Sequence, residues 1–265
     1  MTKTTKMLAI LLAAMTALSG CGGSGTTTTQ TEGKTETTAA AEKTGTETAQ
    51  KGPKDEVVTM AVISSWDTLN IYNTSGNYGN AVADQLFERL VTRTHDGVIE
   101  PRLATEWQIA DDNKSMTFKL AENALWHDGE KLTANDIVFT CKAMTNPDVD
   151  NYYRSAFNVL AGTDDDGIAA DTDQLGVEAV DDYTVKFSFK EPKDQDTILN
   201  AFLSFLYVLP EHILDTGNYA DINNSSFWTS PVGAGPFKYV KDTAGETLEM
   251  EAFEDYYQGC LILRH

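Results

Sequence analysis

The sequence predicts a fold that mixes β-strands with α-helices, of the α/β or α+β class. Short runs with two-residue alternation of apolar side chains, such as Ser115 to Leu120, recur between turn residues and predict strands. Other stretches, such as Ala134 to Met144, carry apolar residues at helical spacing. Because both kinds of element alternate along the chain, an all-helical bundle and an all-β sandwich are disfavoured.

The first 54 residues are predicted to lie outside the folded body. Lys3 and Lys6 precede an apolar run from Met7 to Leu18, which is typical of a secretion signal over residues 1–20. The sequence Leu18-Ser19-Gly20-Cys21 that ends it resembles the lipobox of bacterial lipoproteins, which implies a lipid on Cys21. An ordinary cleaved signal with an incidental cysteine is the alternative. Residues 22–54 are rich in Thr and lack large apolar side chains, so we expect a disordered linker.

The folded body is expected to begin near Asp55 with a buried strand over Val57 to Ile63. A helix is predicted from Asn80 to Leu90, where apolar residues recur at helical spacing. Further strands are predicted, in chain order, at Leu90 to Thr94, near Trp107, and at Ser115 to Leu120, Val177 to Val180, Tyr183 to Phe189, Phe237 to Val240 and Thr247 to Ala252.

Helix signals are clearest in the middle of the chain. Thr133 and Asp136 form a capping pattern that opens a helix over Ala134 to Met144, and Asn146-Pro147 ends it. Two more helices are expected around Tyr152 to Leu160 and Thr197 to Leu206. Cys141 lies on the apolar face of the first of these helices, where a free cysteine packs as a small hydrophobe.

Composition and motifs disfavour several functional classes. The net charge of −20 makes nucleic acid an unsuitable partner. Signature motifs of hydrolases, zinc proteases and nucleotide-binding proteins do not occur, and the four histidines are scattered, so neither catalysis nor a metal or other cofactor is indicated. The acidic stretch from Asp164 to Asp173 fits a calcium loop poorly and is interpreted as a solvated loop instead.

Candidate ligand contacts cluster after the first predicted strand. Ser64-Ser65-Trp66-Asp67 follows that strand directly, and Asn77-Tyr78 lies a little beyond it. Loops at the carboxyl ends of strands commonly contact ligands in α/β folds, and an indole, hydroxyls and a carboxylate suit a small molecule. Packing of Trp66 between elements is an equally good explanation of that residue.

Several ordered motifs resemble family 5 of the bacterial solute-binding proteins, and oligopeptide-binding members in particular. They are Asp84 to Leu90, Glu100 to Trp107, Ala124 to Glu130, Leu132 to Phe139, Leu209 to His212 and Gly233 to Phe237. The resemblance implies a two-lobed, class II periplasmic-binding-protein-like fold that captures peptides, nickel chelates or related solutes outside the cytoplasm. It also implies delivery to the permease of an ABC importer, and ligand contacts from Ser65, Trp66 and Phe139.

Two departures from the family shape the expected domain organisation. Typical members are much longer than 265 residues, and residues 260–265 do not resemble the family's continuation. We therefore expect a truncated form: an α/β first lobe over 55–259 with a mixed sheet, an inserted subdomain at about 88–208, and no second lobe. A lipid-anchored protein on the outer face of the membrane, or in the periplasm, is expected. A surface lipoprotein with a structural or adhesive role, and then a secreted hydrolase, are the alternatives.

Overall fold

The computed structural model describes residues 68–74, 77–94, 96–243 and 246–259. The predicted signal, Cys21, the linker, the predicted strand Val57 to Ile63 and the tail 260–265 lie outside the described residues. Everything described belongs to one unit of the chain. In that part of the protein, no helix combines the length and apolar character needed to cross a membrane.

The regular elements follow one another in a mixed order. The helices are α1 (Asn77–Leu86), α2 (Ala134–Thr145), α3 (Gln195–Thr197) and α4 (Glu211–Leu214). The strands are β1 (Val91–Arg93), β2 (Ile99–Pro101), β3 (Ala104–Ile109), β4 (Ser115–Leu120), β5 (Val177–Asp181), β6 (Thr184–Ser188), β7 (Phe237–Thr243) and β8 (Thr247–Ala252). A 3₁₀ helix spans Arg154–Val159, and further 3₁₀ turns cover Thr172–Gln174, Tyr219–Asn224 and Ser226–Thr229.

A four-stranded antiparallel sheet in the order β3-β4-β6-β5 organises the middle of the chain. Met116, Phe118 and Leu120 of β4 are buried, whereas the intervening Lys119 is exposed. This alternation is typical of an antiparallel sheet with one solvated face. The buried face packs on α2 and on aromatic side chains of the helical segments, including an edge-to-face contact at 5.4 Å between Phe187 and Phe202.

The buried carboxylate of Asp136 accepts hydrogen bonds at the starts of two helices. Asp136 Oδ2 accepts a hydrogen bond of 2.8 Å from the Thr133 backbone at the start of α2, and Oδ1 accepts one of 3.0 Å from the Glu211 backbone at the start of α4. Burial raises the pKa of Asp136, and these two backbone donors oppose the rise. The capping pattern and the end of α2 before Pro147 are confirmed, as is the burial of Cys141.

His127 joins the turn at Trp126–Gly129 to the loop before β7. Its Nδ1 accepts a hydrogen bond of 3.1 Å from the Gly233 backbone, and its Nε2 donates one of 2.9 Å to the Gly235 carbonyl. Gly233 is required here because a Cβ on it would stand 1.7 Å from the Leu86 carbonyl oxygen. Burial lowers the pKa of His127 to about 4, so the ring is neutral at pH 7.

The predicted helix from Asn80 to Leu90 is too long at its carboxyl end. Helix α1 ends at Leu86, and the chain then runs extended: the Val208 backbone donates to the Glu88 carbonyl at 2.9 Å, and Arg89 bridges to Tyr207. Residues 88 and 89 therefore pair with residues 207 and 208 instead of continuing the helix. Leu90 is buried nevertheless, so its apolar character does not distinguish the two conformations.

Candidate functional site

The predicted ligand loop Ser64, Ser65, Trp66 and Asp67 lies outside the described residues, but the segment that follows it is held firmly. Leu69, Ile71 and Tyr72 are buried, and the Tyr72 hydroxyl donates a hydrogen bond of 2.6 Å to the Tyr207 carbonyl. Burial raises the pKa of Tyr72 well above its ordinary value, so the hydroxyl stays a donor. Residues 69–72 are therefore fixed in the core.

Helix α1 begins against this same segment. Asn77 and Tyr78 form its first turn, and their side chains lie outside the described part of the chain. Gly79 allows the close approach, because a Cβ there would stand 2.0 Å from Thr74 Oγ1. The start of α1 and residues 68–74 are therefore immediate neighbours.

Three aromatic residues, Tyr152, Tyr153 and Phe205, lie beside these segments, and we name them the aromatic shelf. The rings of Tyr153 and Phe205 stack with centroids 5.1 Å apart and planes inclined by 19°. The Tyr153 hydroxyl donates to the Thr74 carbonyl at 3.1 Å, and the Tyr152 backbone donates to the Tyr72 carbonyl at 2.9 Å. Tyr152 is 68% exposed and Phe205 36% exposed, so the shelf offers aromatic surface to solvent.

Arg89 supports the segment that carries Phe205. Its guanidinium lies 2.7 Å from Asp84 Oδ1, donates a hydrogen bond of 3.0 Å to the Ser204 carbonyl and lies 4.8 Å from the centre of the Tyr207 ring. The Tyr207 hydroxyl is 2.5 Å from the same Asp84 oxygen, and burial raises the pKa of that hydroxyl. These contacts fix residues 204–207 against the end of α1.

Phe139, another predicted ligand contact, is part of helix α2. It is buried on α2, and its ring lies 5.9 Å from that of Tyr219. Among the described residues, no contact joins it to the shelf. A ligand-contacting role for Phe139 therefore stays a prediction.

A second polar centre surrounds Glu88, whose side chain is 1% exposed. Arg102 donates to both of its carboxylate oxygens, at 2.9 and 3.2 Å, and the Tyr256 hydroxyl donates at 2.7 Å. A cavity of about 280 Å³ lies beside it, lined also by Asp84 and Arg89. Both carboxylate oxygens of Glu88 accept hydrogen bonds from protein groups. The centre therefore connects the residues after β8 to those before β1, and Glu88 is a poor candidate for a ligand contact.

Two acidic regions lie elsewhere in the described chain. A hollow of about 680 Å³ at one end of the sheet is lined by Glu106, Glu122, Asp181 and Asp182, and it is larger than the cavity beside Glu88. In the loop from Asp164 to Asp173, Asp164 Oδ1 accepts backbone hydrogen bonds from residues 166 and 168. Among the described residues no group of three or more His, Cys, Asp or Glu is arranged to hold a metal ion.

Sequence patterns did not identify the aromatic shelf. Tyr152 was placed at the start of a predicted helix, whereas the observed 3₁₀ helix begins at Arg154 and leaves both tyrosines on the preceding turn. The only local signal is the Tyr-Tyr pair itself, directly after a polar loop. The stacking partner Phe205 lies 52 residues away, at the end of the segment after α3.

Comparison with known proteins agrees with the resemblance seen in the motifs. Residues 98–261 match the family described as "Bacterial extracellular solute-binding proteins, family 5 Middle". The periplasmic murein peptide-binding protein MppA of Escherichia coli is 33% identical over 186 residues, which are 67% of this chain and 32% of MppA. The oligopeptide-binding protein AppA of Bacillus subtilis is 26% identical over 257 residues, 96% of this chain and 41% of AppA.

Solved structures give the same result for the fold. AppA of B. subtilis in complex with a nonapeptide superposes with a TM-score of 0.65 at 27% identity, covering 75% of this chain and 36% of AppA. NikZ of Campylobacter jejuni in complex with Ni(L-His) gives 0.59 at 28% identity, covering 72% and 34%. The chain thus spans 32–41% of the length of these relatives.

The α/β architecture predicted for a solute-binding lobe is confirmed by these superpositions, and the sequence match covers more than half of the chain. The protein belongs to family 5 of the bacterial extracellular solute-binding proteins.

Proposed function

We propose that this protein captures a peptide, or a related small solute such as a nickel chelate, outside the cytoplasm and delivers it to the permease of an ABC importer. The observation that carries the proposal is the aromatic shelf beside residues 68–74, which follow the predicted loop Ser64 to Asp67 in the sequence. The proteins that resemble this chain include one solved with a nonapeptide and one solved with Ni(L-His).

Binding, without chemical conversion, suits the described geometry of the shelf. The Tyr153 hydroxyl is engaged by the Thr74 carbonyl, so its ring is held in one orientation with little entropy left to lose. Aromatic rings contact both apolar side chains and flat peptide groups, which suits a ligand class with variable side chains. The Arg89 guanidinium is occupied by Asp84 and Ser204, and it serves to position the shelf.

The anchor and domain organisation are part of the proposal. Cys21 would carry lipid and hold the protein on the outer face of the membrane, and residues 22–54 would act as a tether. Radiolabelled palmitate should enter the protein, and Cys21→Ser should abolish both labelling and membrane retention. Unchanged labelling in Cys21→Ser would refute the anchor without affecting the proposed ligand.

We further propose that residues 55–87 and 209–259 form one subdomain and about 88–208 an inserted one. The position of the whole four-stranded sheet inside 88–208 supports this division, as does the packing of α1 against β7. Because ligands that bind well are usually enclosed on about 70–90% of their surface, these two subdomains on their own would cover a ligand incompletely. We therefore expect the 265-residue chain to bind weakly.

Weak binding is measurable by nuclear magnetic resonance. The chain, labelled with ¹⁵N and lacking residues before the linker, should be titrated with an equimolar mixture of neutral tripeptides up to millimolar concentration. We expect saturable shifts of backbone amides in residues 68–74, 152–153 and 204–207. Saturable shifts confined to other surfaces, or none at all, would refute the proposed site. Free amino acids at the same concentration are the control for non-specific effects.

A further inference from the structure

The segment leading to Phe205 has an unusual backbone. After α3, residues Ile198–Phe202 are π-helical, with the Leu203 backbone donating to the Ile198 carbonyl, and Leu203–Phe205 form a 3₁₀ turn. A π turn adds one residue to a helix, and one residue corresponds to a rotation of about 100° around the helix axis. Phe202, Leu203 and Leu206 are buried, whereas Phe205 reaches the surface.

Phe205 is exposed although a buried position would stabilise the fold more. One part of its ring is covered by Tyr153, whose hydroxyl is held by Thr74. Tyr152, which directly precedes Tyr153 in the chain, is 68% exposed. Tyr153 therefore has two exposed aromatic neighbours, Tyr152 before it in the chain and Phe205 stacked on its ring, and exposed apolar surface is a common mark of a binding site.

Charges around the shelf favour an uncharged occupant over an acidic one. The Arg154 guanidinium is turned to the Val149 carbonyl, and that of Arg89 is occupied by Asp84 and Ser204. Asp148 and Asp150 are exposed on the turn that leads to Tyr152. An acidic side chain of a ligand would be repelled by Asp148 and Asp150, whereas an aromatic or large apolar one could pack on the rings of the shelf.

We propose that Phe205 and Tyr152 form a subsite that selects peptides carrying an aromatic or large apolar side chain. This inference rests on the proposed function and adds the chemical class of the favoured ligand. Aromatic pairs contribute about 0.5–1.5 kcal/mol beyond their buried area, which corresponds to roughly 2- to 12-fold in affinity. We expect Gly-Phe-Gly to bind about 5- to 10-fold more tightly than Gly-Gly-Gly, and Gly-Glu-Gly to bind more weakly than either.

The test compares the affinities of these three peptides, measured by nuclear magnetic resonance titration, across variants of the chain. Phe205→Ala and Tyr152→Ala should each reduce the preference for Gly-Phe-Gly over Gly-Gly-Gly to within about twofold. Val180→Ala is the matched control, because Val180 is an exposed apolar residue on β5, at 57% exposure. It should retain the full preference. Phe205→Leu keeps apolar bulk without a ring, and it replaces Phe205→Ala if that variant does not fold.

The outcomes separate this inference from the proposed function. Equal binding of all three peptides would leave peptide capture standing and overturn the subsite. A full preference for Gly-Phe-Gly in Tyr152→Ala and in the folded Phe205 variant would also overturn it, since the selecting residues would lie elsewhere. Binding of none of the peptides would overturn the subsite and the proposed function together.

Discussion

Acidification should weaken the hydrogen bonds through which His127 connects the Trp126–Gly129 turn to the loop before β7. The Gly233 backbone donates a hydrogen bond to Nδ1 while Nε2 donates to the Gly235 carbonyl, and this arrangement requires a neutral ring. A proton on Nδ1 would replace an acceptor with a donor facing the Gly233 N–H. The ring also packs edge-to-face on Phe253 at 5.0 Å, and the Lys238 ammonium donates to the His127 carbonyl.

The magnitude follows from the two pKa values of His127. Burial lowers the pKa to about 4 in the folded protein, against 6.5 in the unfolded chain. Above pH 6.5 the residue is neutral in both states and contributes no pH dependence. As pH falls from 6.5 to 4, only the unfolded chain takes up the proton, so unfolding becomes more favourable by about 1.4 kcal/mol per pH unit and about 3 kcal/mol in total.

Urea unfolding at several pH values between 7.5 and 4.5 measures this effect. His127→Gln removes the titrating ring, and the Gly233 N–H loses its acceptor. We therefore expect the free energy of unfolding of this variant to be about 1–3 kcal/mol lower than that of the native sequence at pH 7.5. The gap should shrink toward pH 4.5. Asp128, His212 and Lys238 are retained in both proteins, so their contributions cancel in the difference. Parallel pH profiles for the two proteins would refute the assignment of this role to His127.

Two further substitutions test the packing that supports the site. Glu88→Gln should lower the free energy of unfolding by about 3 kcal/mol, since Arg102 would lose its buried counter-charge, and a loss below about 1 kcal/mol in urea unfolding would contradict this. Gly79→Ala should lower the melting temperature, with a free-energy loss of about 1–3 kcal/mol, because the added methyl group meets Thr74. An unchanged melting temperature would show that α1 can move away from Thr74 freely.

The sequence predicted those strands and helix ends that are specified by a few neighbouring residues. The alternation in β4 and β6 and the capping pattern at Thr133 specify their structure within a few residues, and all three are confirmed. The segment from Thr197 to Leu206 was predicted as one helix and is instead a short α-helix, a π segment and a 3₁₀ turn. Hydrophobic spacing cannot distinguish these forms, because each buries most of the same apolar residues.

The candidate site was less predictable because it is assembled from distant parts of the chain. Residues 72–74, the Tyr152-Tyr153 pair and Phe205 meet through a ring contact and backbone hydrogen bonds that leave no pattern in any one segment. Phe205 also follows a π segment that hydrophobic spacing does not reveal. The family resemblance indicated the solute-binding fold, but the ligand contacts that it implies do not include Phe205.

Photo-cross-linking tests the central claim, that the aromatic shelf is the ligand face, most directly. A tripeptide with a central benzoylphenylalanine should be irradiated with the chain, and the cross-linked positions mapped by tryptic mass spectrometry with and without excess Gly-Phe-Gly. We predict cross-links at Tyr152, Tyr153 and Phe205 and within residues 64–74, all suppressed by the competitor. Cross-links concentrated on the solvated face of the sheet, around Lys119 and Lys186, or unaffected by the competitor, would contradict the account.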